Sequence, residues 1–113
     1  MRGRVKDSIE TRKRKQRVYQ EIQRKGFELK NKAAKLFKVK SRRFTAKDGK
    51  RDIVYIRAMI TRVLSNGGQA RLIDIKDVFN VNHTSIVYYR KVFDEQIKYE
   101  DFRANYELLK SAI

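Results

Sequence analysis

Apolar residues recur at helical spacing in five successive stretches of the chain. Val18, Ile22, Leu29, Ala33 and Leu36 follow one another at intervals of 4, 7, 4 and 3, which draws a single stripe along one helix. This predicts a helix over residues 11–38, interrupted or softened at Gly26. Ile53, Ile56, Ile60, Val63 and Leu64 predict a second helix over 52–64, with Asp52 as its N-cap. Ser65-Asn66-Gly67-Gly68 ends it. Leu72, Ile75, Val78 and Phe79 predict a short helix over 72–79. Asn80-Val81-Asn82 then makes a tight connection, and Asn82 caps a longer helix to about residue 98, with Ile86, Tyr89, Phe93 and Ile97 on its apolar face. A last helix capped by Asp101 carries Phe102, Tyr106, Leu109 and Ile113.

Composition agrees with this pattern. The chain has no proline and five glycines among 113 residues, so little in it breaks or loosens a helix. The expected fold class is all-α: a small helical domain with a helix-turn-helix, preceded by a long basic N-terminal helix or arm. The stretch RRFTAKDGK from Arg42 to Lys50 has no clear periodicity, and its Asp48-Gly49 pair signals a turn. A division near this point gives a basic helical arm over 1–43 and a globular part over 44–113.

Charge sharpens that division. Residues 1–51 hold 20 Lys/Arg and 5 Asp/Glu, whereas residues 52–113 hold 9 and 8, out of a net +16. A cationic arm joined to a nearly neutral globule calls for a polyanionic partner, because neutralising phosphates releases condensed counterions. Double-stranded DNA is the partner expected; RNA, acidic lipid and an acidic protein remain compatible with charge alone. No apolar run approaches the roughly 20 residues of a membrane span, and MRGRVKDSIETRKRK lacks the apolar segment of a secretory signal. The amphipathic helix has a thin apolar face without tryptophan, which favours packing against the C-terminal part or a second subunit over lying on a membrane. A homodimer through the 18–36 stripe follows from the second alternative. The expected location is the cytoplasm of a bacterial or phage-infected cell, or a virion interior.

Several chemistries find no foothold. With no cysteine and His83 as the single histidine, no metal site is expected. The acidic residues are dispersed, no nucleophile-histidine-carboxylate set stands out, and no phosphate-binding G-x-x-x-x-G-K-[ST] loop occurs. The chain is therefore expected not to be an enzyme, with no cofactor and no small-molecule substrate.

A short helix, a tight turn and a longer amphipathic helix is the order of a helix-turn-helix, in which the first helix braces the second and the N-terminal residues of the second face base edges. The residues so placed are Asn82, His83, Thr84 and Ser85, all short polar donors or acceptors. Asn82, Thr84 and Ser85 also suit a helix cap that needs no DNA. Tyr88 should face outward, one turn beyond Thr84, and Arg90 and Lys91 are candidates for phosphate. Arg12, Lys13, Arg14, Lys15 and Arg17 form a phosphate-binding or protein-docking arm without sequence preference. Tyr99, Phe102 and Tyr106 could stack on bases, but their helical spacing reads better as packing of the last helix.

The stretch from Ile73 to Phe93 resembles the C-terminal DNA-binding domain of the bacterial replication initiator DnaA. The features that carry the resemblance are Phe79, then Val81-Asn82-His83-Thr84-Ser85-Ile86, then Arg90-Lys91. Arg51 to Leu64 resembles the helix that precedes the motif in that family, so the resemblance covers about residues 42–97. It implies major-groove docking of the helix that starts at His83. It also implies that the basic run Lys47, Lys50 and Arg51 sits where the family has a minor-groove loop. Val81 and Asn82 stand where the family has arginine and aspartate, Lys76 lies near the family's glycine, and Tyr89 replaces a small residue. The implied fold and docking mode therefore carry over, and the family's target sequence does not. The resulting expectation is a double-stranded DNA-binding accessory protein of replication or transcription regulation, encoded by a phage or mobile element. The alternatives are a non-specific compaction or virion structural protein, and a protein-interaction module for an acidic partner or RNA.

Overall fold

A computed structural model describes residues 9–68 and 70–112. It is all helical: α1 (Ile9–Phe37), a 3-10 turn (Ser41–Phe44), α2 (Arg51–Ser65), α3 (Leu72–Phe79), α4 (His83–Gln96) and α5 (Glu100–Ser111). Ile113, expected on the last helix, lies outside the described residues.

The apolar periods fold as read. Ile53, Ile60, Ile75, Phe79, Ile86 and Leu109 are fully buried, and Ile56, Leu64 and Phe93 nearly so. Val63, Leu72 and Ile97 are half-buried at the edge of the core. α5 is held by aromatic edges: the Phe93 ring stands 5.6 Å from Phe102 and 4.8 Å from Tyr106, both near-perpendicular. Phe102 and Tyr106 thus pack, while Tyr99 remains exposed. Arg62 lies over the Phe93 ring at 4.3 Å and reaches Asp94 at 2.7 Å, tying α2 to α4.

α1 runs unbroken through Gly26, where an interruption or softening was expected. Of the two alternatives for its apolar stripe, packing against the C-terminal part is the one seen: Ile22, Leu29 and Ala33 are buried in the same core, while Leu36 is exposed. A second stripe, one residue round the helix, fastens it to α3. Tyr19 Oη donates to Asp77 at 2.7 Å, Gln23 to the Asp74 carbonyl at 2.6 Å, and Lys30 Nζ to the Val78 carbonyl at 2.8 Å. Between them Gly26 lies against Val78, where a Cβ would come within 2.6 Å of a valine methyl. Glycine is there for close approach rather than as a break. Lys32 Nζ also donates to the carbonyl of Ala112 at the end of α5.

The caps fall elsewhere than expected. The N-cap positions of α2 and α5 are Lys50 and Tyr99, so Asp52 and Asp101 sit in the first turns instead. There their charge still complements the helix dipole. α3 is capped from within: Asp74, fully buried, accepts from the Arg71 backbone at 2.9 Å and from its guanidinium.

Candidate nucleic-acid interface

The turn between α3 and α4 is set by Asn80, which takes the left-handed conformation at φ 57° and ψ 50°. Asparagine tolerates this better than other side chains that carry a Cβ. The Val81 N–H then returns to the Lys76 carbonyl at 3.1 Å, a closure typical of helix ends. Val81 packs against the core.

Asn82 occupies the N-cap position of α4 in extended conformation, but its side chain makes no capping bond. The expected capping role is therefore not filled. Asn82, His83 and Thr84 are exposed and Ser85 is half-buried. Along the same face lie Tyr88, 54% exposed, and Lys91, while Arg90 sits half-buried at its edge. The opposite face buries Ile86, Tyr89, Val92 and Phe93. Val87 is also outward, at 51% exposure; it stands three residues after Thr84, a spacing that could have marked it from the sequence.

Lys47 and Lys50, on the segment between the 3-10 turn and α2, and Arg51, the first residue of α2, are exposed, and among the described residues none joins an ion pair within 4 Å. Arg51 does approach α4: a groove of about 300 Å³ is lined by Gly49, Arg51 and Tyr55 on one side and Tyr88, Val92 and Glu95 on the other. The segment's shape comes from its own polar bonds. Asp48 accepts from Arg43 at 2.7 Å and from the Lys50 N–H at 3.1 Å. The Arg43 bond first, and then the Lys50 amide, hold the Asp48 carboxyl below its ordinary range.

Arg12, Lys13, Arg14, Lys15 and Arg17 are exposed on the first half of α1. They are not gathered with the other cations. At 1.5 Å of rise per residue, Arg17 lies roughly 30 Å along α1 from Phe37, the last residue of that helix. Arg14 and Arg17 instead rim a groove over Val18, Ile22, Val63 and Leu64.

The residue that sequence reasoning missed is Arg57. It is 4% exposed in the middle of α2 and spends all five N–H donors. Nε donates to the Phe44 carbonyl (3.2 Å), Nη2 to the carbonyls of Arg43 (3.0 Å) and Ala46 (2.7 Å), and Nη1 to the Asp48 carbonyl (2.9 Å) and Tyr89 Oη (3.2 Å). A guanidinium offers five N–H groups, so none is left over. The one sequence signal was Tyr89, a large polar-tipped residue where the resembled family has a small one.

Searches for similarity find no matching protein-family model, curated protein or solved structure. Among the described residues no helix is long and apolar enough to cross a membrane.

Proposed function

We propose that this protein binds double-stranded DNA without catalysing a reaction, using α3 and α4 as a helix-turn-helix of the DnaA C-terminal kind. In this reading α4 enters the major groove with Asn82, His83, Thr84 and Ser85 toward base edges. Lys47, Lys50 and Arg51 lie on phosphates or in the adjoining minor groove, with Tyr88, Arg90 and Lys91 at the backbone. The observation that carries it is the exposed polar start of α4, together with exposed cations outside any ion pair, of which Arg51 lines a groove with Tyr88 of α4. Uncharged donors and acceptors suit base edges, and lysines and arginines suit phosphates. The role is that of an accessory or regulatory protein of replication or transcription, encoded by a phage or mobile element and acting in the cytoplasm.

A specific observation also favours non-specific compaction: five exposed cations lie on the first half of α1, outside α3 and α4, and can hold DNA without reading it. Selection from a randomised duplex library at about 0.15 M ionic strength, the physiological value, separates the readings. A shared motif in the bound pool is the expected result, and it should vanish when His83 and Thr84 are both replaced by alanine. Retention without a motif would favour compaction, and no retention would move the partner to RNA or an acidic protein. The stripe offered for a homodimer is largely spent inside the chain, so self-association on DNA would use another surface; light scattering with and without duplex reads the stoichiometry.

A further inference from the structure

We infer that Arg57 is a positioning residue for the interface. It holds the backbone of residues 43–48 and, through Tyr89, ties it to α4, so that the basic segment and α4 meet DNA as one unit. This inference rests on the DNA-binding reading above. Four of the five acceptors are carbonyls of residues 43–48, from the end of the 3-10 turn into the irregular stretch after it, and the fifth is a phenol on the buried face of α4. Only the Ala46 carbonyl among the four also takes a bond from that stretch's own backbone, the Asp48 N–H at 2.8 Å, and leaving buried carbonyls unpaired is costly. Arg57 supplies the missing donors. Its donors are all engaged, so it cannot itself bind a phosphate. Its influence passes through the exposed cations flanking its acceptors: Lys47 lies between Ala46 and Asp48, and Lys50 and Arg51 follow at the start of α2. No carboxylate contacts the guanidinium in these bonds. Its planar fork reaches five acceptors at once, and a lysine, with three donors on one atom, cannot.

Two substitutions in the full chain test this. Arg57→Lys keeps the charge but loses the fork. Tyr89→Phe removes only the hydroxyl that links the segment to α4 and leaves the ring against Phe79, 5.8 Å away. Thermal melting checks that each variant folds, and should Arg57→Lys not fold, Tyr89→Phe carries the test. Amide hydrogen exchange is measured without DNA, and duplex affinity is measured across a salt series. For Arg57→Lys, exchange at residues 43–50 should rise about tenfold or more while the amides of α2 and α4 hold. The slope of log affinity against log salt should fall by about two to three, at roughly 0.9 for each phosphate that Lys47, Lys50 and Arg51 no longer neutralise. Tyr89→Phe should move the slope in the same direction by a smaller amount. Unchanged exchange at 43–50 in both folded variants would overturn the inference whatever the DNA result, and so would faster exchange with an unchanged slope. If the unsubstituted protein does not bind duplex at all, the DNA-binding reading itself has failed, and that is visible without either variant.

Discussion

Gly26 and Val78 show how one missing side chain sets the geometry of an interface. Glycine inside a helix costs up to about 1 kcal/mol relative to alanine, so its use in the middle of α1 needs a return. The return is the approach to Val78, where a Cβ would stand 2.6 Å and 2.7 Å from the two valine methyls. Val78 is almost fully buried, which leaves it little room to yield. Gly26→Ala is therefore expected to lose about 1–2 kcal/mol, overpacking outweighing the propensity gain. Val78→Ala should restore much of that loss in the double variant. Denaturant unfolding of the four proteins checks this, and additive effects would show that the two residues do not press on each other.

At the scale of elements, what could be read from sequence is what repetition encodes. Leu72–Phe79 forms over its predicted span because four apolar residues at helical spacing leave one solution. Local polar signals were less reliable. Asp52 and Asp101 look like caps by residue type, yet Asp52 turns to the Ile53 amide at 2.8 Å and to Arg43. A cap preference of about 1 kcal/mol yields readily to a competing partner. The turn at Asp48-Gly49 was legible, but the 3-10 turn and the bonds that Arg57 makes to residues 43–48 were not, because a charged residue on a helix ordinarily signals the solvent side. The same segment has a definite response to acid. Asp48 titrates below its ordinary value of 3.8, chiefly through Arg43. Its contribution is thus fully present above that value and is lost as pH falls through the lower folded one. Amide signals of residues 43–50 should loosen in acid as pH falls below 3.8, and in Asp48→Asn that step should disappear; a step that survives the substitution would implicate another group.

Across the whole molecule, 51 Å in its longest dimension, the cations on the first half of α1 and those around the start of α2 belong to different elements. The roughly 30 Å of α1 from Arg17 to Phe37 is close to one turn of duplex, about 34 Å. If both sets of cations engage DNA, replacing Arg12, Lys13, Arg14, Lys15 and Arg17 by glutamine should lower the salt slope by about four to five, at about 0.9 per phosphate. The motif recovered by selection should not change; a slope that stays put would take the arm off the DNA. The seam between α1 and α3 has a further consequence, for the order of synthesis. Tyr19 and Asp77 lie 58 positions apart, so α1 cannot close its second stripe until the Leu72–Phe79 segment has left the ribosome. Most of the positive charge is thus made before α3 is there to receive α1. The emergence of α3 therefore decides when the basic helix is fixed against the rest of its own chain.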